Sequence, residues 1–196
     1  MITVSGTSSV VRDASGSNAL ATLTFVGSGA ELSLSYGPSL TVEQGLTSQG
    51  VVVANGSLTV NGTYTQETGA TTGMGGTLTA TLVSVQPGST LRGSGTVASS
   101  ISNNGTVWSA GGLTVTGNYT QTDSGALTEQ FGSALNVNLT ATLSGVLNIT
   151  FDPKFPPKSG ATYTALTFGS LNGSFTKHTS GFKLTTTANS IVVQKQ

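Results

Sequence analysis

Residues able to do chemistry are few in this sequence. It holds seven acids (Asp13, Glu31, Glu43, Glu67, Asp123, Glu129 and Asp152), one histidine, His178, and no cysteine. Polysaccharide-cleaving sites need clustered carboxylates to serve as acid, base, nucleophile or calcium ligand. Here the closest pair, Asp123 and Glu129, lies six residues apart. Folding could still set Glu43 over Glu67, but acids scattered in this way read as solvated surface groups. A single histidine rules out a two-histidine metal site, and a nucleophilic triad would have to centre on His178. Its setting, Phe175-Thr176-Lys177-His178-Thr179-Ser180-Gly181, reads as a hairpin-like turn. Absence of cysteine excludes disulfides, thiolate zinc sites and thiol catalysis. The glycine pairs Gly75-Gly76 and Gly111-Gly112 lack the lysine and the helix of a phosphate loop. The expectation is a protein that is not an enzyme, with no catalytic residues, no metal and no cofactor.

Binding chemistry is more plausible than catalysis, and it points to Trp108. This residue follows Val107, so if Val107 faces inward the indole faces outward, where its flat ring could stack on a pyranose. The competing reading is a corner tryptophan packed under a loop. Phe151 and Phe155 could widen such a platform, but are expected rather to plug one end of the fold. A polysaccharide or cell-surface glycan is therefore one candidate partner, and self-association is another. Formal net charge is zero and only 7% of residues are charged, which leaves no basic footprint for nucleic acid and no polybasic membrane patch. No apolar run approaches the ~20 residues that membrane insertion requires. A third kind of surface is suggested by Thr-x-Thr pairs, at Thr63-Thr65, Thr77-Thr79-Thr81, Thr114-Thr116, Thr120-Thr122 and Thr140-Thr142. Ranked on a flat face, these could order water as ice-binding surfaces do; the competing reading is that threonine simply favours solvent-facing strands.

The elements that must position these side chains show most clearly between Leu91 and Gln121. Short β-prone pieces (Thr96-Val97, Gly105-Thr106-Val107, Leu113-Thr114-Val115) alternate there with Gly, Asn and Ser corners. Leu58 to Gln66 also matches Leu113 to Gln121 at an offset of 55, and such internal repetition marks a solenoid. Parity places Leu113, Val115, Gly117, Tyr119 and Gln121 on the inward side, and Thr114, Thr116, Asn118 and Thr120 outside. Tyr119, and Tyr64 by the repeat, then belong to the core. The six-residue spacing of Ile101, Val107, Leu113 and Tyr119 resembles a hexapeptide rhythm. Leu91 and Val97 fall out of phase with it, so the expected architecture is all-β, a right-handed parallel β-helix of irregular coils, each roughly 18 to 24 residues long.

One domain is expected over 1–196: N-terminal rungs or a cap over 1–50, central rungs over 51–150 and an antiparallel C-terminal cap over 151–196. In the first part, Leu32 and Leu34 alternate with Glu31, Ser33 and Ser35 as in a half-buried strand. The rung pattern is expected to stop after Ile149, where Phe151 to Lys158 carries three prolines that cannot donate to a ladder. Tyr163 to Phe168, Ser174 to His178 and Gly181 to Val193 are then read as antiparallel strands, with Lys177, Lys183 and Lys195 protecting an edge.

The succession Leu-Arg-Gly-Ser-Gly-Thr-Val, Asn-Asn-Gly-Thr-Val and Gly-Gly-Leu-Thr-Val-Thr-Gly-Asn-Tyr-Thr-Gln, continued by Leu135-Asn136-Val137, Ala141 to Ile149 and Gly160 to Phe175, resembles the β-helical stalks of bacterial autotransporter-type and other secreted surface proteins. The resemblance covers about residues 51 to 175. It implies an exported, extracellular or cell-surface protein with a structural or adhesive role, in which these rungs are the last of a longer passenger. One departure from that pattern is expected to matter, that this chain carries no downstream membrane barrel or anchor; separately, Met1 leads directly into Ile2-Thr3-Val4-Ser5 without the basic and apolar regions of a signal peptide and is read as a processing start. A carbohydrate-binding module of a secreted polysaccharide-degrading system is the alternative. Asn-x-Ser/Thr sequons at Asn55, Asn61, Asn104, Asn118, Asn138, Asn148 and Asn172 would allow glycosylation of an exported chain.

Overall fold

The computed structural model describes residues 1–7, 9 and 11–196. Among them there is no helix, and so none long and apolar enough to cross a membrane. The chain is a parallel β-solenoid of about six turns. Each turn visits three sheet faces in the same order and then climbs by one strand spacing.

The first face stacks β1 (Ile2–Ser5), β3 (Glu31–Ser35), β6 (Val51–Ala54), β9 (Thr71–Met74), β12 (Thr90–Gly93), β15 (Thr106–Ser109), β18 (Ala126–Gln130), β20 (Val146–Thr150) and β22 (Lys177–His178). The second stacks β4 (Ser39–Val42), β7 (Ser57–Val60), β10 (Thr77–Thr79), β13 (Thr96–Ala98) and β16 (Leu113–Val115). The third stacks β2 (Phe25–Val26), β5 (Leu46–Ser48), β8 (Thr63–Gln66), β11 (Leu82–Val85), β14 (Ile101–Asn103) and β17 (Tyr119–Gln121). Two longer strands, β19 (Leu135–Leu143) and β21 (Thr162–Gly173), run around the corner and serve both the second and third faces. Their register shifts between Val137 and Thr140, where Leu139 points out at the bend.

Inside, like stacks on like. Leu40, Leu58, Leu78, Val97, Val115, Val137 and Phe168 form one column, and Leu32, Val52, Thr72, Leu91, Val107, Leu127 and Leu147 another. Full burial of each aliphatic member contributes roughly 1.5 to 3 kcal/mol. The parity expected for Leu113 to Gln121 holds: Leu113, Val115, Tyr119 and Gln121 are buried, and Thr116, Asn118 and Thr120 are exposed.

Coil length follows from the registers. On the first face, successive coils from Glu31 to Val146 take 20, 20, 19, 16, 20 and 20 residues. The hexapeptide rhythm is real for one 18-residue coil, in which Ile101, Val107 and Leu113 fill the third, first and second faces before Tyr119 returns to the third. The 55-residue repeat is three coils of the third face, which carry Tyr64 through Val83 and Ile101 to Tyr119. On the second face the repeat slips by two residues, so Leu58 stands in line with Val115 instead of Leu113.

The coils do not stop at Ile149. Phe151 to Ala161 leaves the ladder, as its prolines require, but β21 then pairs parallel with β19, and β22 pairs parallel with β20. Ser174 to His178 is thus part of the stack and not antiparallel. The antiparallel closure is confined to β23 (Phe182–Thr186) and β24 (Ser190–Lys195), with β24 set between β23 and the first half of β21. Lys183 lies on the outer strand β23 and Lys177 on the terminal strand β22, whereas Lys195 sits on the inner strand with its Nζ 5.4 Å from the centre of the Phe182 ring. At the other end β1 and β2 begin the stack, and Leu20 and Leu23 pack on the core from the connection between them.

Candidate functional site

Trp108 is on the outward side of β15, in the middle of the first face, as its parity with the buried Val107 requires. Because the coil between β12 and β15 is the shortest, at 16 residues, Arg92 is its direct neighbour on the preceding coil. Gly73 and then Val53 continue the same outward row. Absence of a side chain at Gly73, where a Cβ would meet open space, leaves a depression of about 380 Å³ lined also by Val53, Asn55, Met74, Arg92, Gly93, Trp108 and Ala110. Gly93 is required there twice over. Its φ is +139°, and a Cβ would run into the carbonyl oxygen of Met74.

Arg92 is exposed and makes no hydrogen bond or ion pair among the described residues. Trp108 is half-buried, and its Nε1–H is turned out of solvent with no acceptor. An unmade bond of this kind costs about 1 to 3 kcal/mol. The arrangement offers an aromatic surface, a free planar cation and the Asn55 amide around a floor of backbone. Three strand spacings separate Val53 from Trp108, roughly 14 Å at ~4.8 Å each, which is room for two or three sugar rings.

The other sequence candidates are not brought to this groove. Glu43 accepts from Asn61 (2.8 Å) and Glu67 from Gln49 (2.6 Å), each with a neighbour on the adjoining coil and not with the other. Asp123 accepts from Ser144 at a corner. His178 is exposed near the end of the stack, its Nδ1 3.1 Å from the Thr179 carbonyl. Phe155 does not plug the solenoid, being 78% exposed. The plug is Phe131, Tyr163 and Phe182, with Tyr163 and Phe182 centred 4.4 and 6.3 Å from Phe131, and Phe151 only abuts Phe182 from outside. Among the described residues no three of His, Cys, Asp and Glu gather.

Glu129 overturns its reading as a surface acid: it is fully buried, on the inward side of β18. Neither carboxylate oxygen has a hydrogen-bond partner, and the nearby Tyr163 hydroxyl also lacks one. Burial raises the Glu129 carboxyl well above its ordinary value, opposed by the nearby Ser109 hydroxyl and Leu135 N–H. Ser109 donates instead to the Ala134 carbonyl, at 3.0 Å. Burial also raises the Tyr163 and Tyr119 phenols, and the Glu129 charge adds to both shifts. The sequence did hold a signal for Glu129, since in Ala126 to Glu129 it shares parity with the inward Leu127.

Three interior amides have a structural task. Gln121 Nε2 donates to the carbonyls of Gly125 (3.2 Å), Ser144 (2.7 Å) and Val146 (3.1 Å), while its Oε1 accepts from the Tyr119 hydroxyl (2.7 Å). Asn103 donates to the Ala126 carbonyl (3.0 Å) and Gln66 to that of Thr90 (3.0 Å). All three satisfy backbone where the third face turns into the first. Compared with known proteins, the chain matches no family model and no curated protein.

Proposed function

We propose that the chain is a non-catalytic structural or adhesive β-solenoid segment of a bacterial surface protein or filament, working outside the cell. The observation that carries this reading is the dressing of the stack. On the second and third faces, short hydroxyl and amide side chains run in register from coil to coil, such as Thr47, Thr65, Ser84, Ser102, Thr120, Thr142 and Asn172. A rod with such walls stays soluble at low charge and holds whatever it displays at a fixed spacing. The resemblance to autotransporter-type stalks agrees with this role. Antibody raised against the purified chain should label intact cells that produce it; label only after permeabilisation would overturn the proposal.

A second reading, a carbohydrate-binding module, is favoured by the groove around Trp108 and Arg92. Affinity electrophoresis across plant and microbial polysaccharides tests it, with Trp108→Ala run beside the parent. Retardation by one glycan that the variant loses supports the module, and no retardation by any removes it. The ice-binding reading draws support from the second face, where Thr41, Thr59 and Thr79 line up beside Ser39, Ser57, Thr77, Thr96 and Thr114. Unchanged grain growth in an ice recrystallisation assay would remove it.

A further inference from the structure

We infer that the groove on the first face selects a carboxylate-bearing sugar chain, an oligouronate, over a neutral glycan. This inference rests on the reading of the Trp108 groove as a carbohydrate site and names its ligand class.

The case begins with charge. Along the outward rows of the first face from Val51 to Asn148, Arg92 is the single charged side chain among residues such as Val53, Thr71, Thr90, Thr106, Thr128 and Asn148. Glu129, on the same sheet, is buried on the inward side, away from the groove. An arginine used only to keep a surface soluble needs no particular neighbour. This one is placed beside the sole tryptophan by the shortest coil of the stack, next to Gly73, which opens the floor.

A guanidinium presents its N–H groups as a planar fork that matches a carboxylate in two parallel bonds. A sugar ring stacked on the indole turns its edge along the sheet, toward the neighbouring coil at about one strand spacing, ~4.8 Å. A carboxylate on that edge meets Arg92, and ring hydroxyls meet the Asn55 amide farther along the floor. Neutral sugars can use the tryptophan but leave the guanidinium without its partner.

Trp108 is the only tryptophan, so its emission reports directly on the groove. The test is a fluorescence titration of the full chain with oligogalacturonate, oligomannuronate and a glucuronate-containing oligosaccharide, against methyl-esterified oligogalacturonate and a neutral β-glucan oligomer. Arg92→Gln and Arg12→Gln are titrated alongside, and Trp108→Ala by calorimetry, each checked for parent-like circular dichroism. The expected result is saturable binding of at least one uronate, weakened about tenfold or more by esterification and by Arg92→Gln, abolished in Trp108→Ala and unaffected by Arg12→Gln. Which uronate binds identifies the source. Equal affinity for the ester or the β-glucan, with dependence on Trp108 kept, overturns the charge selection and leaves the glycan reading standing. No response to any of the ligands overturns both. Binding untouched by Arg92→Gln and Trp108→Ala places recognition elsewhere and also overturns the inference.

Discussion

Glu129 makes the stability of this solenoid fall as pH rises through a range where most proteins are indifferent. In the unfolded chain its carboxyl loses its proton near the ordinary value of 4.5, but in the folded chain burial keeps the proton on. Between those two values the folded state binds one more proton than the unfolded state. Unfolding free energy therefore drops by about 1.4 kcal/mol for each pH unit, and the loss levels off only above the folded-state value. In a chain of this length a kcal/mol moves the melting temperature by about 2 to 4 °C, so one pH unit should move it by about 3 to 5 °C. The lowered Asp13 carboxyl acts in the opposite sense, but at more acidic pH, below its ordinary value of 3.8. Tyr119 and Tyr163, the phenols that feel Glu129, have ordinary values of 10.0 and join only in alkali. Glu129→Gln removes the titrating proton at nearly constant volume. Thermal melts followed by circular dichroism from pH 5 to pH 7 should show the parent losing stability against the variant along this slope. Parallel curves for the two proteins would refute the burial argument, and so would a parent that gains on the variant as pH rises.

Three further substitutions probe other parts of the fold and the groove. Val115→Asp puts a charge into the buried column of the second face and should cost more than about 3 kcal/mol; a melt equal to the parent's would place Val115 outside the core. Gln121→Leu takes the donor from the Ser144 and Val146 carbonyls and the acceptor from the Tyr119 hydroxyl, which still accepts from the Asn103 amide, at about 1 to 3 kcal/mol for each group left unsatisfied. Denaturant unfolding should register at least the lower end of that range, and a neutral result would show that water replaces the amide. Gly93→Ala meets both the Met74 carbonyl and an unfavourable φ, so it should destabilise by about 1 to 3 kcal/mol and red-shift or blue-shift Trp108 emission. Unchanged emission would separate Gly93 from the groove.

Wherever one period governed both backbone and side chains, the sequence alone was readable. Alternation in Leu113 to Gln121 assigned Tyr119 and Gln121 to the interior because a strand has only two sides, and the same rule turned Trp108 outward. Arg92 is not legible as the neighbour of Trp108 because coil length on the first face varies from 16 to 20 residues between Glu31 and Val146. Neighbours across coils cannot be named until each corner is counted, and corners are built by glycine, asparagine and serine in proportions that leave their length open. Glu129 was missed for a different reason. Its parity pointed inward, but the general rule that acids sit in water spoke louder than one strand's alternation. The end of the stack is not legible because prolines mark where a ladder is interrupted and carry no information on whether it resumes, as the parallel ladder does at Leu166.

The interior amides also give the rod a direction. Each one reaches forward: Gln66 to Thr90, Asn103 to Ala126, Gln121 to Ser144 and Val146. These amides thus satisfy carbonyls of the coil made after their own. After Gln121 the column continues with the apolar Leu143, which makes no such reach, and then Gly173. In these side chains chain growth and stacking share one arrow, and a break between two coils would strand the amides on the N-terminal piece and the carbonyls they serve on the C-terminal one.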